Sequence, residues 1–469
     1  MYVTSTHIEN LRCFADASLK LQHPDLKERG QPALELPNIN LLLGNNGAGK
    51  TTVLRAIALG ALAPVMARSS GYKPYRMVRR RDREDHDQRS GNVEVKLLLH
   101  KQDANGSSSV VKTAKLAIQI VSLGDEEWIE STKEIVQPRW QQMFNNASPA
   151  FLVLGYGTMR RVSEARNFDT EKELKRHSLR YLRVAGLFEN DVPLTPLHSW
   201  LPAMQSTNRG RYTQVVHLLD RLLPVEASFT GEFDGTEYFF DLRGAKVPFA
   251  ALSDGYRGYI GWIADMLYHI CKGAPSGAKL VDNRGIVLVD EIDLLLHPEW
   301  QRTVLQTISE ALPNMQFIFS THSPIIAGSV RKENIFVMDI DEYGAATIEQ
   351  YDEHIYGLNA EQVLTSSYFG LRTTRAASFV ENELQPLTQK ALRGDREAAT
   401  TFVRKLAGER DPKHASRSPS AVSLPRVDDE EFQAMLQTYQ NEARLHGSAR
   451  KAAKKSASRK GRSKANAKR

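Results

Sequence analysis

One eight-residue segment limits the possible folds of this chain more than any other. It reads Gly44-Asn-Asn-Gly-Ala-Gly-Lys50-Thr51 and follows a short apolar run at residues 39–43. The next segment, residues 53–67, has helical spacing and good helix formers. Glycines here allow successive backbone N–H groups to surround a phosphate at a helix N-terminus, where the helix dipole also favours an anion. A strand, a phosphate-binding loop and a helix are therefore predicted in this order.

The residues of this loop have separate predicted tasks. Lys50 is placed to reach the β- and γ-phosphates of a nucleotide, and the Thr51 hydroxyl is placed to ligate Mg²⁺. A chance glycine turn is the alternative, and the flanking strand and helix argue against it. The predicted phosphate-binding residues are Asn45, Asn46, Gly47, Ala48, Gly49, Lys50, Thr51 and Thr52.

A second apolar strand ends in two acids. Residues 286–289 are Ile-Val-Leu-Val, and Asp290 and Glu291 follow them. On its own, an apolar strand that ends in two acids is more often structural. Together with a phosphate-binding loop, the functional interpretation of the two acids is favoured. Asp290 is then predicted to support the Mg²⁺ shell, and Glu291 is predicted to polarise the attacking water as the general base.

The segment Leu252-Ser253-Asp254-Gly255-Tyr256 resembles the L-S-G-G-Q signature of ABC-type ATPases, with Asp254 and Tyr256 as substitutions. The resemblance implies ATP and Mg²⁺ as the bound groups. It also implies that Ser253 and Gly255 bind the γ-phosphate of ATP held by a second copy, so that two copies enclose two ATP molecules head to tail. Taken alone, the same residues would describe a helix N-cap and a glycine turn.

Two further motifs extend this resemblance. Ser320-Thr-His322-Ser-Pro324 is similar to the switch-histidine segment of the family, which implies that His322 contacts the γ-phosphate. Ile8-Glu-Asn-Leu-Arg12-Cys-Phe14 resembles the N-terminal strand of the SMC/RecF/OLD-like branch, in which the arginine approaches the nucleotide. The order of loop, signature, acidic strand and histidine is that of ABC-type ATPases.

Two features of the family pattern stay open. His297 occupies the position at which transporter ATPases carry an aspartate, so communication between two sites is not assigned. The Q-loop glutamine is not assigned either: Gln137, Gln141 and Gln142 precede the apolar run at 151–154, and residues 156–161 are an alternative local sensor.

The predicted fold class is α/β. Residues 1–350 are predicted to form an ABC-type ATPase head with a β-rich N-terminal lobe and a short helical insertion at about 165–225. A helical C-terminal interaction region at 351–445 and a disordered basic tail at 446–469 are predicted to follow.

Composition limits the class of protein and its surroundings. Hydrophobic residues make up 41% and charged residues 25% of the 469 residues, as in globular proteins. The two cysteines lie far apart in sequence, and no apolar run reaches the ~20 residues of a membrane span. We expect a cytoplasmic protein without membrane contact. The last twenty residues carry ten Lys and Arg and no acid, so this tail either binds a polyanion or keeps the chain soluble.

The motifs also suggest partners. The chain resembles stand-alone ATPases of anti-phage systems, nearest to the Septu PtuA-like kind, which implies a separate HNH-type nuclease subunit and a homodimer or higher oligomer. Asp339-Ile-Asp341 is interpreted as a hairpin turn, so no nuclease centre is predicted in this chain. The alternative is a RecF-like DNA-binding ATPase of repair or chromosome maintenance, whose basic tail would contact nucleic acid. The signature variant and the C-terminal extension argue against a transporter ATPase.

Overall fold

The computed structural model describes residues 1–26, 34–80, 88–103, 112–130, 137–162, 178–275 and 277–407. The chain divides into two units, Met1–Thr374 and Arg375–Arg469. The predicted basic tail and residues 165–177 of the predicted insertion lie outside the described residues.

Strands and helices are numbered here along the chain. The strands are β1 (Tyr2–Leu11), β2 (Phe14–Lys20), β3 (Ile39–Gly44), β4 (Arg89–Leu99), β5 (Lys112–Leu123), β6 (Glu126–Glu130), β7 (Val153–Tyr156), β8 (Ala227–Ser228), β9 (Phe239–Leu242), β10 (Ala245–Pro248), β11 (Gly285–Val289), β12 (Met315–Thr321), β13 (Ile335–Ile340) and β14 (Ala346–Glu349). The helices are α1 (Lys50–Ala61), α2 (Ala63–Arg68), α3 (Leu179–Leu182), α4 (Leu197–Thr207), α5 (Arg209–Leu222), α6 (Asp254–Gly273), α7 (Pro298–Gln301), α8 (Val304–Ala311), α9 (Pro324–Ala327), α10 (Ala360–Thr365), α11 (Ala377–Phe379), α12 (Gln385–Leu392) and α13 (Arg396–Ala407).

A six-stranded sheet of order β14-β13-β3-β12-β11-β7 forms the centre of the first unit. Its strands pair in parallel, except that β14 pairs antiparallel with β13 at the edge. The strands β11 and β12 are buried along their whole length, as expected for parallel strands that are covered on both faces. The predicted α/β class is therefore confirmed.

A second, antiparallel sheet of order β2-β1-β4-β5-β6 forms the predicted β-rich part of the N-terminal region. The alternation of apolar and polar residues from Val3 to Leu21 predicts two edge-type strands. This is wrong for β1, which pairs with β2 on one side and with β4 on the other. Helix α1 shares a buried apolar cluster with both sheets. At Gly60 of α1 an added Cβ would lie 2.6 Å from the Val95 side chain, so glycine permits this close approach of the helix to β4.

The opposite face of the parallel sheet is covered by α4, α5 and α6, whose buried side chains include Leu201, Leu219 and Trp262. The sequence pattern predicts that Pro193, Pro196 and Pro202 interrupt the helical insertion, and this is wrong for Pro202, because α4 continues through it. Loss of one backbone N–H is tolerated there since Trp200 and Leu201 hold the helix on the core.

The segment Asp339-Ile-Asp341, interpreted from the sequence as a hairpin turn, lies where β13 ends. Asp341 lies in the turn between β13 and β14 and accepts hydrogen bonds from the backbone N–H groups of Tyr343 and Ala345, so the hairpin interpretation is correct. The second unit contains α11, a π-helical turn at Val380–Leu384, α12 and α13. Among the described residues, no helix combines the length and the apolar character that a membrane crossing requires.

Candidate active site

The loop between β3 and α1 has the backbone of an anion-binding turn. Gly47 and Gly49 have φ values of +83° and +102°, which only glycine adopts without strain. A Cβ at Gly49 would lie 2.6 Å from the Cys13 Sγ atom and 2.7 Å from the Phe14 ring, whereas a Cβ at Gly47 would meet nothing within 4 Å. The loop is therefore packed against the start of β2 on one side and open on the other, where Asn45 and Asn46 are exposed.

Lys50 is the first residue of α1 and is 6% exposed. Its Nζ atom donates to the carbonyl oxygens of Gly44 and Asn45 at 2.8 and 3.2 Å and lies 2.7 Å from His322 Nε2. Burial lowers the pKa of Lys50, while Asp290 and Glu291 act to raise it. The ammonium group is thus held at the mouth of the loop by neutral acceptors.

Asp290 follows β11 and is 4% exposed. Its Oδ2 atom accepts a hydrogen bond of 2.6 Å from Thr51 Oγ1, and its Oδ1 atom accepts one of 2.5 Å from Ser320 Oγ at the end of β12. The sheet order explains this meeting, since β12 lies between β11 and β3 and the parallel strands present their carboxyl ends at one edge.

Glu291 has an unusual backbone conformation, with φ of +47°. Its N–H donates to Ser320 Oγ at 2.7 Å, and its carbonyl oxygen accepts a hydrogen bond of 2.7 Å from Arg160 Nη2. A non-glycine residue in this region is strained and requires such support from its surroundings. The two hydrogen bonds hold Glu291 so that it lines the same cleft as Lys50 and Thr51.

His322 follows β12 and lines this cleft as well. Burial and the neighbouring Lys50 lower the pKa of its imidazole. Because Lys50 is the donor in their contact, Nε2 of a neutral His322 acts as the acceptor. The residue that precedes it, Thr321, donates to Asp293 Oδ1 at 2.5 Å, which links the end of β12 to the segment after Glu291.

The complete cleft has a volume of about 360 Å³. It brings together residues from the N-terminal strand, the phosphate-binding loop and the ends of two strands. Arg12, at φ +47°, forms part of the lining, and its Nε atom has no hydrogen-bond partner in the described part of the chain. The residues that line the cleft are Arg12, Cys13, Asn46, Gly47, Gly49, Lys50, Thr51, Thr52, Glu291 and His322.

The signature segment lies elsewhere. Ser253 is exposed at the N-terminus of α6, and neither it nor Gly255 is among the described residues that line the cleft. A Cβ at Gly255 would lie 2.8 Å from the carbonyl oxygen of Leu295, so the segment packs closely on the loop after Glu291. Leu294 and Leu295 beside it are exposed by 39% and 61%.

An aromatic contact fixes the start of α6. The Tyr256 and Trp300 rings meet edge to face with centroids 4.4 Å apart, and Trp300 Nε1 donates to Glu226 Oε1 at 2.6 Å. Tyr256, which replaces the glutamine of the usual signature, therefore serves as an anchor within the same copy. His297 is exposed and caps α7.

Sequence reasoning did not single out three residues that the structure places here. Cys13 packs against Gly49, Ser320 bridges Asp290 and Glu291, and Arg160 holds the Glu291 carbonyl. Arg160 lies within the 156–161 segment proposed as a sensor, and burial lowers its pKa to about 10. The signal that could have identified Arg160 is a basic residue shortly after β7, the strand that pairs with β11.

Two family models match the chain. One, described as an AAA domain, matches residues 5–176. The other, described as "AAA domain, putative AbiEii toxin, Type IV TA system", matches residues 159–327. The two matched ranges contain the phosphate-binding loop and the Asp290-Glu291 strand, respectively.

Several relatives are similar over long stretches. The Septu protein PtuA of Bacillus mycoides is 27% identical over 71% of this chain and 41% of its own length, and that of Bacillus thuringiensis is 23% identical over 73% of this chain and 81% of its own. The Retron Vc95 probable ATPase of Vibrio cholerae is 32% identical over 31% of this chain and 26% of its own length. The match thus spans less than half of the first and third of these relatives.

Among solved structures, the SMC head domain from Thermotoga maritima is 12% identical, with a TM-score of 0.39 over 75% of this chain and 100% of that chain. The family matches and the named relatives agree with the arrangement of the cleft. Two segments of the chain match AAA domains, and the chain is related to the Septu protein PtuA.

Proposed function

We propose that the chain binds Mg-ATP between two copies of itself and uses the nucleotide state to regulate a separate nuclease in anti-phage defence. One observation carries the catalytic part: Lys50, Glu291 and His322 line one cleft although they are distant in sequence. The nuclease and the defence role rest on the relatives named Septu and retron proteins and on the family resemblance of the motifs.

Within one copy, the loop residues from Asn45 to Thr52 would hold the phosphates through their backbone N–H groups. Lys50 would donate to the β- and γ-phosphates, and Arg12, which lines the cleft, would approach the nucleotide. Glu291 would take a proton from the attacking water as general base, and its position is fixed by Ser320 and Arg160. His322 would contact the γ-phosphate and report its presence to Lys50.

The oxygen atoms beside Thr51 fit a magnesium ion. Thr51 Oγ1 and Asp290 Oδ2 lie 2.6 Å apart at the cleft, and hydroxyl and carboxylate oxygens are the ligands that Mg²⁺ prefers. When bound, Mg²⁺ supplies neutralisation of charge on the phosphate oxygens. Ser320 would keep Asp290 oriented through its hydrogen bond to Oδ1.

A second copy would complete the site. Ser253 and Gly255 do not line the cleft of their own copy, and Ser253 is exposed at the N-terminus of a 20-residue helix. Such a helix end favours an anion. The exposed Leu294 and Leu295 beside it provide apolar surface for the same contact. This arrangement supports a head-to-tail homodimer in which each cleft faces the signature of the other copy.

The proposal is tested with two variants and a purification. Lys50→Ala is expected to abolish ATP binding, whereas Glu291→Gln is expected to keep binding, stop hydrolysis and accumulate the dimer in Mg-ATP. The native mass of the complex, purified in Mg-ATP from the cells that make it, is then measured with identification of each subunit. A second, HNH-type nuclease chain supports the proposed role. Unchanged hydrolysis by Glu291→Gln contradicts the catalytic assignment, and a bare dimer that retains DNA favours a repair clamp.

A further inference from the structure

A second cavity, of about 230 Å³, lies behind the end of β7 and is separate from the ATP cleft. Its described lining comes from the end of β7, from the residues after α3 and from one face of α6. The described linings of this cavity and of the ATP cleft share no residue. Its volume is below the roughly 300–1,000 Å³ typical of drug-sized ligand sites, so it suits a small molecule.

A buried cation lines this cavity. Arg183 is 3% exposed, and its Nε and Nη1 atoms have no hydrogen-bond partner within the described ranges of the chain. Burial lowers its pKa to about 10, so the guanidinium remains charged at neutral pH. A buried charge without a partner is costly, and natural proteins rarely keep one unless something binds to it.

The nearby carboxylate does not satisfy Arg183. Asp265 acts electrostatically on it, but the Asp265 oxygens already accept hydrogen bonds of 2.8 Å from Tyr156 Oη and from the Thr195 backbone N–H. His269, also in the lining, has an Nδ1 atom that finds no partner among the residues the structure describes, and burial lowers its pKa to about 4. The inner wall thus offers a guanidinium and a neutral imidazole with unused hydrogen-bonding capacity.

The other lining residues indicate what the ligand carries besides a group that binds Arg183 and His269. Tyr156, Tyr181 and Tyr268 line the cavity and provide ring surfaces. The carboxylates of Glu189 and Asp191 lie at exposed positions of the lining, where they oppose a polyanion such as nucleic acid or a triphosphate. A single anionic group on a ring is the chemistry that matches all of these walls.

We propose that this cavity is a binding site for a small ring-bearing organic anion, whose carboxylate or phosphate group pairs with Arg183 and hydrogen-bonds to His269. The site lies next to the catalytic centre, because Arg160, which holds the Glu291 carbonyl oxygen, also lines it. The assignment goes beyond ATP hydrolysis and does not depend on the proposed nuclease partner.

Saturation-transfer NMR on the full chain tests the site with three probes: benzoate, phenylphosphonate and the neutral amide benzamide. Saturable binding of at least one anion, with benzamide at least tenfold weaker, is expected. The stronger of the two anions identifies the carboxylate or the phosphate class. Absence of saturable binding by both anions, or equal binding of benzamide, would overturn the proposal.

Variants locate the binding. Arg183→Met replaces the buried cation by an apolar side chain of similar length, so anion binding should fall at least tenfold. His269→Phe should weaken binding independently if Arg183→Met does not fold. Arg221→Gln removes an exposed guanidinium outside the cavity and is the matched control that should bind normally. Unchanged binding in both cavity variants would place the anion elsewhere and refute the site.

Discussion

Single residues decide whether the phosphate-binding loop can form. Gly47 and Gly49 have positive φ values, but only Gly49 is also enclosed by neighbouring side chains. Backbone strain at such a position costs about 1–3 kcal/mol, and a collision with Cys13 and Phe14 adds to it. Both positions therefore require glycine because of their positive φ, and Gly49 also because its neighbours leave no room for a Cβ. Substitution by alanine at each position separates these two effects.

Gly49→Ala is expected to lower the free energy of unfolding by more than Gly47→Ala and to abolish ATP binding. Gly47→Ala is the control, because a Cβ there meets nothing within 4 Å and only the strain remains. Urea unfolding and nucleotide titration measure both effects. Equal losses in the two variants would show that contact with Cys13 and Phe14 has no importance.

The buried His269 predicts a pH dependence of stability. Burial lowers its pKa from 6.5 to about 4 in the folded chain. Between these values the unfolded chain binds more protons, so this contribution to stability is present above pH 6.5 and is lost as the pH falls towards 4. One group changes the free energy of unfolding by at most about 1.4 kcal/mol per pH unit.

His269→Phe should therefore reduce the slope of unfolding free energy against pH between 6.5 and 4. Urea unfolding at several pH values measures this slope for the wild type and the variant. His297→Gln, at a position 66% exposed, is the control and should leave the slope unchanged. A variant slope equal to that of the wild type would mean that His269 titrates normally in the folded chain.

At the scale of elements, a buried glutamine joins the two sheets. Gln316 in β12 is fully buried; its side chain accepts a hydrogen bond from the Val3 N–H and donates to the carbonyl oxygens of Val3 and Gln22, each at 2.8 Å. Gln316→Leu leaves the N–H and C=O groups of Val3 in β1 without these partners, whereas the Gln22 carbonyl oxygen keeps its hydrogen bond from Asn40 Nδ2. The expected loss is about 2–4 kcal/mol, since each buried unsatisfied group costs about 1–3 kcal/mol.

Urea unfolding measures this loss. Gln306→Leu is the matched control, because Gln306 is exposed and its side chain donates a hydrogen bond to Glu310 on the same helix. A loss below that of the control would contradict the role of Gln316 as the link between the sheets.

Elements with a strong local signal could be predicted from the sequence. The strand at Ile39–Gly44, the loop and the buried strands β11 and β12 were predictable because their apolar runs are short and bounded. The pattern of residues 299–311 predicts one helix, but the structure has α7 and α8 there. Helix α6 begins at Asp254, five residues before its apolar part. Such boundaries depend on packing, for example of Trp300 against Tyr256, that sequence spacing does not contain.

In the candidate site, too, residues of local motifs could be predicted, whereas residues placed by tertiary contacts could not. The positions of Lys50 and His322 at one cleft, and of Asp290 beside Thr51, could be predicted because each residue belongs to a motif of defined order. Arg160 and Ser320 contact the Glu291 backbone, and the sequence motifs do not specify such contacts. Arg183 could not be recognised either, because only the fold shows that its guanidinium is buried and that two of its nitrogen atoms lack a hydrogen-bond partner among the described residues.

At the scale of the whole molecule, the proposed function requires two copies that share each site. The cleft carries the loop and Glu291, the proposed general base, while Ser253 is exposed and is not among the described residues that line it. A Lys50→Ala copy retains an intact signature, and a Ser253→Arg copy retains an intact cleft. Each variant alone should lack ATP hydrolysis, yet a mixed dimer would contain one complete site.

The most direct measurement is therefore the ATPase rate of Lys50→Ala and Ser253→Arg protein mixed in equal amounts. Partial recovery of hydrolysis is predicted. A mixture of Lys50→Ala with Glu291→Gln is the matched control and should stay inactive, because every cleft in it lacks either the lysine or the base. If the first mixture also stays inactive, or if Ser253→Arg alone hydrolyses ATP at the wild-type rate, the shared site is contradicted.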